Sequence, residues 1–262
     1  MNNPSQPQGF HVSLQTPAGN LEATVTVPTQ VIPISAIVPL LRSFGERAMS
    51  LEEEKQALIG EKTSCKKGCA ACCRMMIPVS PPEAFSLMES IGRLSKVQQT
   101  LIRDRITDIK TKLKKVGLLE HLVQLSDSRQ QLSDDDIEPI NQAYYAQRLP
   151  CPFLVDEVCS IYEDRPAACR ELLVTSPSEL CSDMAKNPIR ALPVHLRMGT
   201  ILSLLWKEFT NAPARLIPLP LALDWVERHQ IENTPSWTGV QLLEKGMNYM
   251  WEFLRQNTQK TP

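Results

Sequence analysis

Eight cysteines are the residues in this 262-residue chain best suited to chemistry, and they fall into two groups. The first is compact: Cys65, Cys69, Cys72 and Cys73, in the run Cys-Lys-Lys-Gly-Cys-Ala-Ala-Cys-Cys. The second is spread out: Cys151, Cys159, Cys169 and Cys181. If the first run is helical, successive residues advance by about 100°, so its four thiols lie within roughly 100° of arc. If Gly68 breaks it into a loop, the chain can wrap around one ion instead. The sulfurs converge either way. Four thiolates held so close repel one another unless a cation sits among them, so the expected ligand is a metal.

The second group is looser, with gaps of eight, ten and twelve positions that match no standard finger spacing. Beside the first group it supplies the extra ligands that one short segment seldom provides. Basic residues surround both: Lys66, Lys67 and Arg74 border the first, and Arg165 and Arg170 flank Cys169. Cations there lower thiol pKa values and offset the charge of a metal–thiolate unit; taken alone, they would read as a solvated surface. Zinc in tetrahedral Cys₄ sites and an iron–sulfur cluster both suit these ligands. Spacing does not separate the two, because soft thiolates accept either metal. Cys72 and Cys73 are adjacent, and on a helix their side chains diverge by about 100°. One of them can ligate while the other binds a second metal or stays a free thiol.

An even cysteine count also permits four disulfides. Against this, Met1 to Gly9 has no basic stretch leading into an apolar one, as a secretory signal would. No apolar run approaches the roughly 18–20 residues of a membrane span. A cytoplasmic location is therefore expected, where clustered cysteines serve as metal ligands or redox groups. The formal net charge is −1, with 42% hydrophobic and 22% charged residues, so no global field calls for nucleic acid or an anionic membrane.

The elements that must position the cysteines are mostly helical. Phe10 to Val27 alternates apolar and polar residues about Thr16-Pro17-Ala18-Gly19-Asn20 and predicts a hairpin. A helix is expected from Ser35 to about Glu61, with Ile37, Leu40, Leu41, Phe44, Ala48, Leu51 and Leu58 as its stripe. Ser80-Pro81-Pro82-Glu83 is a capping box that opens a helix to about Leu94. Lys96 to Val116 predicts another helix, ended by Gly117. A loop is expected from Ser126 to Asp136, then a short helix from Ile137 to Gln147. Asp156-Glu157 predicts a tight hairpin turn, and Asp164 is expected to cap a short helix holding Pro166, Cys169 and Arg170. Three helices complete the chain: Leu196 to Phe209, Leu219 to His229 and Ser236 to Arg255.

The blocks Cys65-x₃-Cys69-x₂-Cys72-Cys73, Cys151-Pro152-Phe153-Leu154 and Cys159-Ser160-Ile161-Tyr162-Glu163-Asp164-Arg165-Pro166-Ala167-Ala168-Cys169-Arg170, in that order, resemble the YkgJ-type cysteine-cluster proteins, a family described as zinc- or iron-chelating. The resemblance covers roughly Ser64 to Cys181. It implies a chelating domain with all eight cysteines as ligands, and it points to flagellin lysine N-methylase as a relative that uses an iron–sulfur cluster in methyl transfer. No strand followed by a glycine-rich loop for S-adenosylmethionine stands in the sequence. Within the matched blocks, Pro152 stiffens the exit from Cys151. Phe153 and Leu154 can wall off one side of the centre. Arg165 can face a carboxylate or the sulfurs, and Pro166 suits the first turn of the helix presenting Cys169. Tyr162 can donate to a thiolate, with plain core packing as the alternative for Tyr162 and Phe153.

The remaining candidates have ordinary readings. His11, His121, His195 and His229 lie apart from the cysteines in sequence and read as structural or exposed. Asp134-Asp135-Asp136 reads as solvated loop. Trp237, Met247, Met250 and Trp251 read as core, and Lys110, Lys112, Lys114 and Lys115 as the wet face of a helix. The expected fold is mainly α with small β-hairpins, an irregular cysteine-rich metal-binding core and terminal helical additions. Its expected parts are 1–63, a hairpin and helix; 64–181, the chelating domain; and 182–262, a helical extension packed on it. The expected function is chelation of an iron–sulfur cluster or zinc, the partner being that metal ion or cluster. The alternatives are cluster-dependent methyl transfer to a protein lysine substrate, a related redox enzyme, or a thiol redox protein without permanent metal.

Overall fold

The computed structural model of the chain describes residues 6–128 and 133–258. Strands β1 (Gln8–Thr16) and β2 (Gly19–Val27) pair antiparallel, with Leu14 opposite Leu21 and Val12 opposite Ala23. Val12, Leu14, Leu21, Val25 and Val27 are buried on one face, as alternation requires. Gly19 takes the positive φ of 141° that the turn needs. The hairpin packs its apolar face on α1 (Val38–Leu58) and on the last helix, α9 (Gly239–Thr258).

Helix α1 begins a few residues later than the sequence pattern implies, because Ile34–Ile37 forms a tighter 3₁₀ turn ahead of Pro39. Its buried face includes the predicted Leu41, Phe44 and Ala48, but also Arg42 and Glu52. Helix α2 (Pro81–Gly92) opens with the expected capping box. Helix α3 (Lys96–Lys115) stops before Gly117, which has φ 74°. Next come α4 (Leu119–Asp127) and α5 (Asp134–Ala146).

The loop expected over Ser126 to Asp136 is helical at both ends, and residues 129–132 lie outside the described residues. The acidic run falls at the start of α5, and the Asp136 carboxylate in its first turn suits the helix dipole. Asp136 accepts from the Ser133 N–H and hydroxyl, so a capping box starts the helix.

Helices α2, α7 (Met198–Thr210) and α8 (Ala222–Arg228) pack together around Phe85, Trp206 and Trp225. The ring centroids of these three side chains lie 5.7–6.0 Å apart. Truncating any of them would cost about 3–5 kcal/mol. Short strand pairs tie distant segments together. β3 (Val31–Ile32) pairs with β8 (Trp237–Thr238), and β4 (Pro78–Val79) with β7 (Ile217–Pro218). One hydrophobic core runs through residues from the beginning, middle and end of the chain. The protein is mainly helical with small antiparallel strand pairs.

Some surface expectations change. Met250 is buried, but Trp251 is 49% exposed, and Trp237 lies in β8 rather than in the last helix. Lys110 is half-buried against Asp224 at 2.5 Å. Among the described residues no helix is long and apolar enough to cross a membrane.

Candidate metal centre

Four irregular segments carry the cysteines. The first runs from Ser64 to Met75. Gly68, at φ 93°, turns it, and the Cys69 N–H donates to the Lys66 carbonyl at 2.9 Å. The loop geometry, not the helical one, therefore holds at Cys65 and Cys69. A 3₁₀ turn, Ala71–Arg74, then carries Cys72 and Cys73. The start of the segment is tied down where Ser64 N–H reaches the Val174 carbonyl (2.9 Å) and Val174 N–H reaches Cys65 Sγ (3.4 Å).

The second segment is the hairpin β5 (Leu154–Val155) and β6 (Val158–Cys159). Asp156 and Glu157 both have positive φ, 49° and 59°, as a two-residue hairpin turn of this hand requires. Cys151 enters this hairpin and Cys159 leaves it. Phe153 is 1% exposed beneath it and belongs to the core. Glu157 at the turn holds Arg74 through two hydrogen bonds, 2.7 and 3.1 Å.

The third segment is α6 (Ala167–Glu171), which presents Cys169. It starts two residues later than a cap at Asp164 would give: Pro166 stands at the cap, and Tyr162–Asp164 is a separate 3₁₀ turn. The cap Asp164 would have supplied comes from elsewhere. The buried Glu83 carboxyl accepts the Ala167 N–H at 2.7 Å, while its other oxygen accepts the Ser80 hydroxyl at 2.7 Å. The Arg42 guanidinium, also buried, donates to the carbonyls of Asp164 and Arg165 (3.2 and 2.9 Å). At the far end of α6, Glu171 accepts the Met198 N–H at 2.7 Å. Burial pushes the Glu171 carboxyl up to about 7, and the nearby Glu83 adds to this.

The fourth segment is the 3₁₀ turn Ser178–Asp183, carrying Cys181, which is 6% exposed. It packs on the Ala71–Arg74 turn. Arg148 fastens it to the end of α5, donating to the Ser182 carbonyl (2.8 Å) and pairing with Asp183 (3.1 Å).

These segments bring both cysteine groups into one region. The turn carrying Cys181 packs on the turn carrying Cys72 and Cys73, and Cys65, Cys69 and Cys72 act electrostatically on the Cys181 thiol. Cys151, Cys72 and Cys159 act electrostatically on the buried Cys169 thiol, and the Cys151 N–H donates to the Cys73 carbonyl at 2.7 Å. All eight are free thiols. Burial, with neighbouring sulfurs adding to it, raises the thiols of Cys65, Cys159, Cys169 and Cys181 above their ordinary range. The Cys151 thiol is pushed up to about 12 by the same causes. Cys72 is also raised well above the ordinary thiol range, first by its hydrogen bond to Cys73 and then by burial.

Opposing groups favour thiolates. Backbone N–H groups of Val174, Phe153 and Ile161 point at the sulfurs of Cys65, Cys151 and Cys159. The Arg165 charge acts on Cys72, Cys159 and Cys169. Arg165 lies over the Tyr162 ring at 3.7 Å, and Lys67 approaches that ring at 5.2 Å, joining the first cysteine segment to the third. Tyr162 thus serves the basic side chains in place of a thiolate.

The donor set fits a soft metal in its chemistry: sulfur ligands, amide N–H groups aimed at sulfur, and an adjacent guanidinium. Mutual repulsion among thiolates is what a bound cation would remove. Coordination spacing is not preset. Among the described residues no three His, Cys, Asp or Glu side chains stand together as a closed metal-holding group. The histidines do not join the cysteines. His195 Nε2 meets the buried Glu52 at 2.7 Å, and His229 stacks on Trp225 at 4.0 Å.

Sequence reasoning missed Glu83, Arg42 and Glu171 as the residues that hold α6. The available signal was charged side chains placed within apolar stretches, as Arg42 is between Leu41 and Phe44.

The fold and site define a helical scaffold enclosing a thiol-rich centre. Residues 64–182 match the CxxCxxCC family model, whose description reads "putative zinc- or iron-chelating domain". The match spans every cysteine and supports metal binding in general. The family's name spells two residues between its first two cysteines; this chain has three, taken up by the turn at Gly68. No curated protein and no solved structure matches the chain.

Proposed function

We propose that this protein chelates zinc or iron through the thiolates of Cys65, Cys69, Cys72, Cys151, Cys159, Cys169 and Cys181, with Cys73 beside them. The observation that carries the reading is the gathering of sulfurs from four separated segments into one region without a disulfide among them. Disulfide staples would serve stability alone, whereas free converging thiols with N–H donors and Arg165 around them serve a cation. The metal, when bound, supplies the positive charge that lets buried thiolates coexist. The chain's own residues do the rest. Arg165 balances charge, Phe153 shuts out water from below, and Glu83 and Arg42 hold the helix that carries Cys169. The reading places the protein in a reducing compartment, where such thiols persist.

Metal-protected thiol counting tests this. Metal-free chain in reductant-free anaerobic buffer should titrate eight thiols, and stoichiometric Zn²⁺ or Fe²⁺ should shield most of them. Equal thiol reactivity with and without either metal would overturn the reading.

A further inference from the structure

One cysteine sits on a loop whose attachments differ from those of the other seven. Segment 176–190 leaves the fold and returns to it at one point. There the Thr175 N–H donates to the Arg190 carbonyl at 2.9 Å, the Arg190 N–H donates to the Ser176 hydroxyl at 3.1 Å, and Val174 bridges Ala191. Loops of this length with adjoining ends close on themselves and behave as units. From Pro177 to Arg190 the one buried residue is Cys181, 6% exposed. The turn that carries it packs on the turn Ala71–Arg74, which carries Cys72 and Cys73.

Among the described residues, 177–189 makes no main-chain to main-chain hydrogen bond outside itself. The other three cysteine segments are anchored more firmly: by Ser64 on Val174, by the Cys151 N–H on the Cys73 carbonyl with Phe153 in the core, and by Glu83 on the Ala167 N–H. Each hydrogen bond from 177–189 to the rest of the described protein ends on Tyr145 or Arg148. Arg148 donates to the Ser182 carbonyl and pairs with Asp183, and the Met184 N–H donates to the Tyr145 hydroxyl at 2.8 Å. The two side chains stack, with the guanidinium 4.0 Å from the centre of the Tyr145 ring. Arg148 has φ 50°, in the left-handed position after α5 that glycine or asparagine takes at least cost. The grip of its side chain on the loop accounts for an arginine there.

Resting on the metal-chelating reading above, we infer that 177–189 is a latched lid on the thiol-rich centre. Closed, it delivers Cys181 to that centre. Tyr145 and Arg148 are positioning residues that hold it shut. When they let go, the loop turns on its hinge at Ser176 and Arg190, withdraws Cys181 and opens the ion's route in and out. Such a swing breaks only the contacts to Tyr145 and Arg148 and exposes one buried side chain, so it is cheap beside global unfolding. The latch thereby sets the rate of metal exchange.

The test labels metal-free full-length chain with a maleimide under native, anaerobic conditions and reads the rate at each cysteine by peptide mass spectrometry. Arg148→Gly removes the latch and eases the left-handed backbone, so an arginine without a latching role predicts no faster labelling. The lid predicts that Arg148→Gly and Tyr145→Phe each label Cys181 about three- to tenfold faster, while Cys65, Cys151 and Cys169 keep the parent rates. Zinc-loaded chain should lose Zn²⁺ to excess chelator faster by a similar factor. Unchanged Cys181 labelling in both variants would overturn the lid, even in a chain that binds Zn²⁺, and so would an equal rise at all eight cysteines. Selective labelling of Cys181 with unchanged Zn²⁺ release would overturn the loop as the ion's route. Selective labelling in a chain that takes up no Zn²⁺ would keep the lid over Cys181 and overturn the chelating reading.

Discussion

The backbone N–H of Cys151 donates to the carbonyl of Cys73 at 2.7 Å, across 77 intervening residues. That one bond joins the two cysteine groups through the main chain. A main-chain bond leaves both sulfurs available, so the groups can be brought together without using a ligand to do it. Arg74 and Glu157 repeat the connection from side chains, at 2.7 Å.

The Arg165 guanidinium lies over the Tyr162 ring, and its charge acts on the thiols of Cys72, Cys159 and Cys169. Arg165→Met keeps the bulk and removes the charge. It should weaken zinc binding by about 10–100-fold, as loss of supporting groups around a metal does, without changing stoichiometry. Competition against a chromophoric chelator measures this. Unchanged affinity would mean that the guanidinium serves only the Tyr162 stack.

Glu83 connects the start of α2 to the start of α6, and it is 2% exposed. Glu83→Gln turns one accepting oxygen into an amide donor that faces N–H or O–H groups. The expected loss is about 1–3 kcal/mol in a denaturant titration. Metal affinity should fall with it, since α6 carries Cys169. A variant as stable as the parent would show that the helix start is held by other contacts.

Glu52 is fully buried on α1. Burial acts to raise its carboxyl, but hydrogen bonds from Gln56 and His195, with Lys55 nearby, hold it below the ordinary value of 4.5. A lowered carboxyl pKa adds stability above the unfolded-state value and loses it as pH falls through the folded-state value. Glu52→Gln should therefore destabilise the protein at neutral pH by about 1–3 kcal/mol. The gap to the parent should close as pH drops below 4.5. Thermal unfolding across pH would show this; a gap constant with pH would contradict it.

Gly68 turns the first cysteine segment at φ 93°, and a Cβ there would meet nothing within 4 Å. Gly68→Ala therefore carries a conformational cost alone, about 1–2 kcal/mol. The folded, metal-loaded variant should bind as many metal ions as the parent, with a lower melting temperature. A drop in stoichiometry would mean that the alanine redirects Cys65 or Cys69.

Much of the scaffold was legible in the residues. The alternation from Phe10 to Val27, the Ser80–Glu83 capping box, Gly117 and the Asp156-Glu157 turn are local signals, and local backbone chemistry determines those features. The start of α5 was missed because Asp at Asp136 closes a capping box usually recognised by Glu or Gln. The cap of α6 was assigned to Asp164, whereas the N–H it would have satisfied is taken by Glu83, more than 80 residues earlier. Trp251 shares a helix with the buried Met250 but points outward, since adjacent residues diverge by about 100°. The eight cysteines were visible as candidates from composition and spacing. The convergence of their four segments on one region was not, because it depends on how those segments are tied down by Arg42, Glu83 and Arg148. Those contacts join segments far apart in the chain, and no periodicity records them.

Metal content of the full chain, purified anaerobically with no added metal, tests the central claim most directly. Elemental analysis with an ultraviolet–visible spectrum should find zinc with a colourless protein, or iron with charge-transfer absorption, and Cys151→Ala should reduce that content. Metal-free protein with eight freely titrating thiols, unable to take up zinc or iron afterwards, would contradict it.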